Sequence, residues 1–222
     1  MKIELLMVKL NRLSALLACA CWLLPSEKTG AADTHVLYEN HFEKAEAGKV
    51  PEDMMVLDGA FAVKDEGGNR CLELPGAPLD TYGLLFGPTT NSERTVSARI
   101  HGTAKGRRFP AFGLGLNGIG GYKLQVSPGR KALELSKGEE VVASVPYSWE
   151  SDSWTMLRLQ VRKTDASWNI EGKAWKQGGT EPETWAISHE DKVEPAAGRA
   201  SIWGSPFSTT PIQYDDLVIR SR

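Results

Sequence analysis

The chain has 222 residues, with 26 Lys and Arg against 28 Asp and Glu and a formal net charge of −2. A near-balanced charge with no basic patch excludes the footprint of a nucleic-acid-binding domain. With 41% hydrophobic residues the chain has enough apolar material for a well-packed core.

Taken in chain order, residues 1–32 stand apart. Lys2, Lys9 and Arg12 precede an apolar run from Leu13 to Leu24, and the small residues Gly30, Ala31 and Ala32 follow. That is the pattern of a cleaved signal peptide, and the run falls short of the roughly 18 apolar residues that a membrane span needs. Met7 offers an alternative start, and "LLAC" ending at Cys19 gives a lipid anchor as a minor alternative. The expectation is a secreted or periplasmic protein with no stable membrane span, in which residues 33–222 form one domain. Removing residues 1–32 takes away four basic and two acidic side chains and leaves 190 residues with a net charge of −4. Cys19 and Cys21 leave with it, so Cys71 has no intramolecular partner and "NRCLELPG" reads as a strand with a buried thiol.

From residue 33 onward, helical periodicity is replaced by short alternating runs bounded by Gly, Pro, Asn and Asp, about twelve of them, as an all-β sandwich requires. In order they are "VLYENHF", the long "MVLDGAFAVKDEGGNRCLELP", "TYGLLFGP", "TVSARIHG", "AFGLGLNG", "YKLQVSP", "ALELSK", "EVVASVPY", "TMLRLQVRK", "SWNIEGKAWK", "GRASIWG" and "IQYDDLVIRS". Glycine-bearing turns at 66–69, 127–131 and 136–140 join neighbours as antiparallel pairs. Alternation sorts the faces: Leu157, Leu159 and Val161 point to the core, and so do Phe112, Leu114 and Leu116. Opposite the latter three lie Gly113, Gly115 and Asn117, which predict a shallow trough. The segments 176–185 and 188–198 read as polar loops.

No reaction motif emerges. Glycosidases need two carboxylates at a fixed separation, and Glu150 and Asp152 sit in a turn without a third acid. "HEDKVE" at 189–194 reads as solvated loop. "GLGLNG" formally matches a dinucleotide fingerprint but runs into a strand instead of a helix. Two sets of side chains suit a sugar, whose apolar side takes an aromatic ring and whose hydroxyls take polar groups. One is Arg158, Gln160, Glu171, Lys173 and Trp175, which share a face if their two strands pair. The other is Arg107, Arg108, Asn117, Lys123 and Gln125, bordering the trough. An ordinary solvated face is the alternative for each.

The run from Ser153 to Ile187 and the closing "GRASIWGSPFSTTPIQYDDLVI" carry W-x-x-L-R-L, K-x-W, E-P-x-x-W, G-R-x-x-x-W-G and Y-D-D-L elements. Together these resemble concanavalin A-like lectin/glucanase domains of the laminin-G and 3-keto-disaccharide hydrolase types. The resemblance implies an antiparallel β-sandwich of jelly-roll type whose first strand lies beside its last. It also implies a structural calcium joining Glu43, Asp215 and Asp216. Calcium would need both aspartates, hence a bulge, and the apolar phase does slip between Tyr214 and Leu217. The alternative is that one aspartate meets backbone amides or an arginine while the other faces water. The expected function is non-catalytic binding of carbohydrate or another extracellular ligand, with a sugar-processing hydrolase or a cell-envelope interaction module as alternatives.

Overall fold

A computed structural model describes residues 34–222 apart from 79 and 208, and the expected signal peptide lies outside the described residues. The strands are β1 (Val36–Asn40), β2 (Met55–Asp58), β3 (Ala62–Glu66), β4 (Asn69–Leu74), β5 (Tyr82–Thr90), β6 (Arg94–Gly102), β7 (Ala111–Leu116) and β8 (Tyr122–Ser127). They continue with β9 (Ala132–Lys137), β10 (Glu140–Pro146), β11 (Ser153–Lys163), β12 (Trp168–Lys176), β13 (Ile187–Asp191), β14 (Gly198–Ser205) and β15 (Ile212–Ser221). One sheet is ordered β13-β12-β11-β6-β15-β4-β3, with β1 also on β15; the other is ordered β10-β9-β8-β7-β14-β5-β2. Their pairings are antiparallel, and the two inner faces close on one apolar core.

The alternation read from the sequence sets that core. Leu157, Leu159 and Val161 of the first sheet and Phe112, Leu114 and Leu116 of the second are fully buried. Each such side chain contributes about 1.5–3 kcal/mol of transfer free energy. The hairpin glycines also act as expected: Gly67 and Gly68 both have positive φ in the two-residue β3–β4 turn, which a side chain would resist. The long run from Met55 to Leu74 divides into three strands.

One expectation needs correction. The segment read as polar loop from 188 begins inside a strand, β13, paired with β12 from Ile187 to Asp191. Its inward positions include Asp191, whose polarity masks the period of two. Asp191 accepts the Tyr122 hydroxyl at 2.6 Å and the Lys137 ammonium at 2.5 Å, so its charge is compensated where it is buried.

The closing strand carries the expected bulge. Register shifts between Asp215 and Val218 against β6, and Asp216 adopts φ 52°. On its other side β15 pairs with β4 through Tyr214 and with β1 from Leu217. The bulge therefore marks the point where β15 changes partner, and the first strand does lie beside the last.

Candidate functional site

The outer face of the second sheet carries the candidate site. Its cross-strand register sets Gly83 of β5, Trp203 of β14, Gly113 of β7, Gln125 of β8 and Glu134 of β9 side by side. The next row sets Ser201, Gly115, Lys123 and Ser136 side by side. Glycine in the middle of a strand lowers the sheet surface locally, and Trp203 occupies the space. A Cβ on Gly83 would meet the six-membered ring of Trp203 at 2.5 Å, and one on Gly115 would lie 3.4 Å from its Nε1. The indole thus lies across the sheet from β5 to β7, half-buried, and donates its N–H to Ser201 Oγ at 2.8 Å. With the N–H satisfied below, the ring offers an apolar surface.

Polar groups flank it. Lys123 Nζ stands 5.3 Å from the indole centroid. Burial lowers the pKa of Lys123, against the opposing pull of Glu134 and Glu139. Glu134 is buried, and its Oε2 accepts Ser127 Oγ at 2.5 Å and Arg130 Nη2 at 2.8 Å. Gln125 donates to Ser127 Oγ at 3.0 Å, which fixes the amide beside the carboxylate. Two adjoining hollows of about 610 and 210 Å³ open here and share Thr81, Lys123, Gly138 and Glu139 in their walls. An aromatic surface beside fixed donors and acceptors is what a sugar requires.

Of the trough residues named from sequence, Lys123 and Gln125 line this groove. Asn117 is buried in the turn after β7, where it donates to the Ala196 carbonyl at 2.8 Å. Arg107 and Arg108 are exposed in the β6–β7 turn, closed by paired hydrogen bonds between Lys105 and Arg108, and are outside the walls of both hollows. The residues missed are Trp203, Glu134, Ser127 and Ser136. The same alternation that sends Ala200 and Ile202 inward sends Trp203 outward, so this signal was present.

The other set does assemble. β11 and β12 pair with Arg158 opposite Lys173 and Gln160 opposite Glu171. The following segment then folds over them. Glu181 Oε1 meets Arg158 Nη1 at 2.6 Å and Lys173 Nζ at 2.7 Å, and Lys173 also donates to the Pro182 carbonyl. Trp185 lies 4.8 Å from Lys173 Nζ, and Trp175 is half-buried at 6.0 Å. Gln160 donates to Glu171 at 2.7 Å. Most donors on this face thus serve one another.

The acidic pair on β15 holds a guanidinium. Arg99 Nη2 lies 2.5 Å from Asp215 Oδ2 and its Nε lies 2.9 Å from Asp216 Oδ2. Asp215 Oδ1 accepts the Asp216 amide at 2.7 Å, Asn69 donates to Asp215 Oδ2 at 3.2 Å, and Asp216 Oδ1 meets His41 Nδ1 at 2.6 Å. Three of the four carboxylate oxygens of the pair are in hydrogen bonds, and the fourth, Asp216 Oδ2, faces the Arg99 guanidinium as an ion pair. Glu43 is exposed, and only its carbonyl is engaged there, by Arg70. Glu43, Asp215 and Asp216 therefore do not fit a calcium ion, which takes six or more oxygen ligands. Among the described residues, no group of three His, Cys, Asp or Glu is placed to hold a metal. Cys71 is buried, and burial with the Asp215 charge pushes its thiol up to about 12, which leaves it unreactive.

No family model matches the sequence, and no curated protein matches it. Among solved structures, the chain is similar to the carbohydrate-binding module CBM66 from Bacillus subtilis, with TM-score 0.54, 12% identity, and coverage of 76% of this chain and 96% of that one. It is similar to the carbohydrate recognition domain of Emp47p, with TM-score 0.58, 10% identity, and coverage of 82% and 94%. It is also similar to lectin II from Ulex europaeus, with TM-score 0.53, 10% identity, and coverage of 85% and 100%. At these identities the likeness establishes a fold: an antiparallel β-sandwich of concanavalin A-like jelly-roll type.

Proposed function

We propose that the chain is an exported, non-catalytic carbohydrate-binding module whose ligand stacks on Trp203. The observation that carries this reading is the indole laid across Gly83 and Gly115 with its N–H bound beneath it, beside Lys123, Gln125 and Glu134. The structural neighbours support it, since their names describe a carbohydrate-binding module, a carbohydrate recognition domain and a lectin. A glycan array on residues 33–222, run beside Trp203→Ala, tests it: absence of any bound glycan overturns it.

A second reading, hydrolysis of a sugar derivative, has one observation in its favour. Glu134 and Glu139 both line the smaller hollow and both act on the charge of Lys123. Two carboxylates in one groove are the minimum for acid–base chemistry on a glycosidic bond. Release of product from a bound glycan, lost in Glu134→Gln, would establish this reading over pure binding.

A further inference from the structure

The first sheet has a cleft of its own, on the opposite side of the sandwich from Trp203. Strand β6 presents Thr95 and Ser97 outward, between Arg220 and Val218 of β15 on one side and Gln160 and Arg158 of β11 on the other. Short side chains flanked by long ones make a channel floored with hydroxyls. Trp185, from the segment folded over β11 and β12, contributes a wall, and the open cleft has a volume of about 430 Å³.

The charged side chains that line this cleft are all basic. They are Arg158, Arg220 and Arg222, and of these Arg158 is paired with Glu181 behind it. Arg158 gives Nη1 to Glu181, while its Nε is buried without a partner. Arg220 is half-buried, and among the described residues it forms no ion pair. A half-buried guanidinium beside hydroxyls lacks the carboxylate that its planar fork would match. Trp185 offers a face to the apolar side of a ring, and the Thr95 and Ser97 hydroxyls offer partners to its hydroxyls, with the amide oxygen of Gln160 as a further acceptor while its N–H serves Glu171.

We propose that this cleft binds a sugar residue carrying an anionic group, a carboxylate or a sulfate ester, which pairs with Arg220 while the ring lies along Thr95 and Ser97 against Trp185. The site is separate from the Trp203 groove and stands without it. Binding is therefore measured by calorimetry in Trp203→Ala, with polygalacturonate as the carboxylate probe, dextran sulfate as the sulfate probe, and dextran and polyglutamate as controls.

The expected result is that one or both charged polysaccharides bind, weakening as NaCl rises from about 50 to about 500 mM, while dextran does not bind. Arg220→Gln in the same background should weaken binding at least about tenfold, with the unfolding midpoint unchanged. Which polymer binds identifies the anionic group. The proposal is overturned if neither charged polysaccharide binds, if Arg220→Gln has no effect, or if polyglutamate binds equally well, since charge alone would then suffice. Binding seen in the wild type but absent from Trp203→Ala would assign the ligand to the other groove and also overturn it.

Discussion

Arg99 holds Asp215 at 2.5 Å where the aspartate side chain is 1% exposed, and the same guanidinium lies 4.6 Å from the centre of Trp154. Burial raises the pKa of Asp215, against the Asp216 amide and Arg99. Removing the cation would strand a buried carboxylate at the point where β15 passes from β4 to β1. Arg99→Met should cost about 3–5 kcal/mol, read from urea midpoints. Chelator should leave the wild-type midpoint unchanged, because Arg99, His41, Asn69 and the Asp216 amide already occupy the carboxylate oxygens of the pair.

His41 bridges β1 to the same bulge through Asp216, with Glu39 on its other nitrogen at 2.8 Å. These two hydrogen bonds, Asp216 first, raise its pKa above 6.5. A raised folded-state pKa adds stability that is fully present below the unfolded value and lost as pH climbs through the folded one. Thermal midpoints should therefore decline above about pH 6.5 in a component that His41→Asn removes.

Asp191 has the opposite sign. Burial opposes its ionisation, but Lys137, Tyr122 and the Val193 amide outweigh burial and hold it at about 2, below its ordinary 3.8. Its contribution is present above pH 3.8 and is lost as pH falls toward 2. Asp191→Asn should cost about 2 kcal/mol at neutral pH and progressively less in acid, by denaturant titration at several pH values.

Gly83 supports the indole by having no side chain. In Gly83→Ala the new methyl would sit 2.5 Å from Trp203. The ring should lift from the sheet at a cost of about 1–3 kcal/mol. A shift of the tryptophan emission, absent when Gly83→Ala is made on Trp203→Ala, would confirm the contact.

How much of this was legible in the sequence depended on whether one strand or several were needed. The period of two in "TMLRLQVRK" and "AFGLGLNG" gave the inward faces, and the phase slip after Tyr214 gave the bulge, because each signal lies within one strand. β13 was obscured because Asp191 takes an inward position through partners on β8 and β9. The cation on the aspartates was hidden because Arg99 is 116 residues away in sequence. Trp203 was readable as outward-facing. Its position over Gly83 and Gly115 depended on the register of β14 with β5 and β7, which no local pattern specifies.

The central claim rests on one side chain. Titration of residues 33–222 with the glycan selected on the array should quench tryptophan emission saturably. Trp203→Ala should abolish that response and weaken calorimetric affinity by at least about tenfold, equivalent to about 1.4 kcal/mol, while its unfolding midpoint stays near that of the wild type. Unchanged affinity in a folded Trp203→Ala protein would contradict the account.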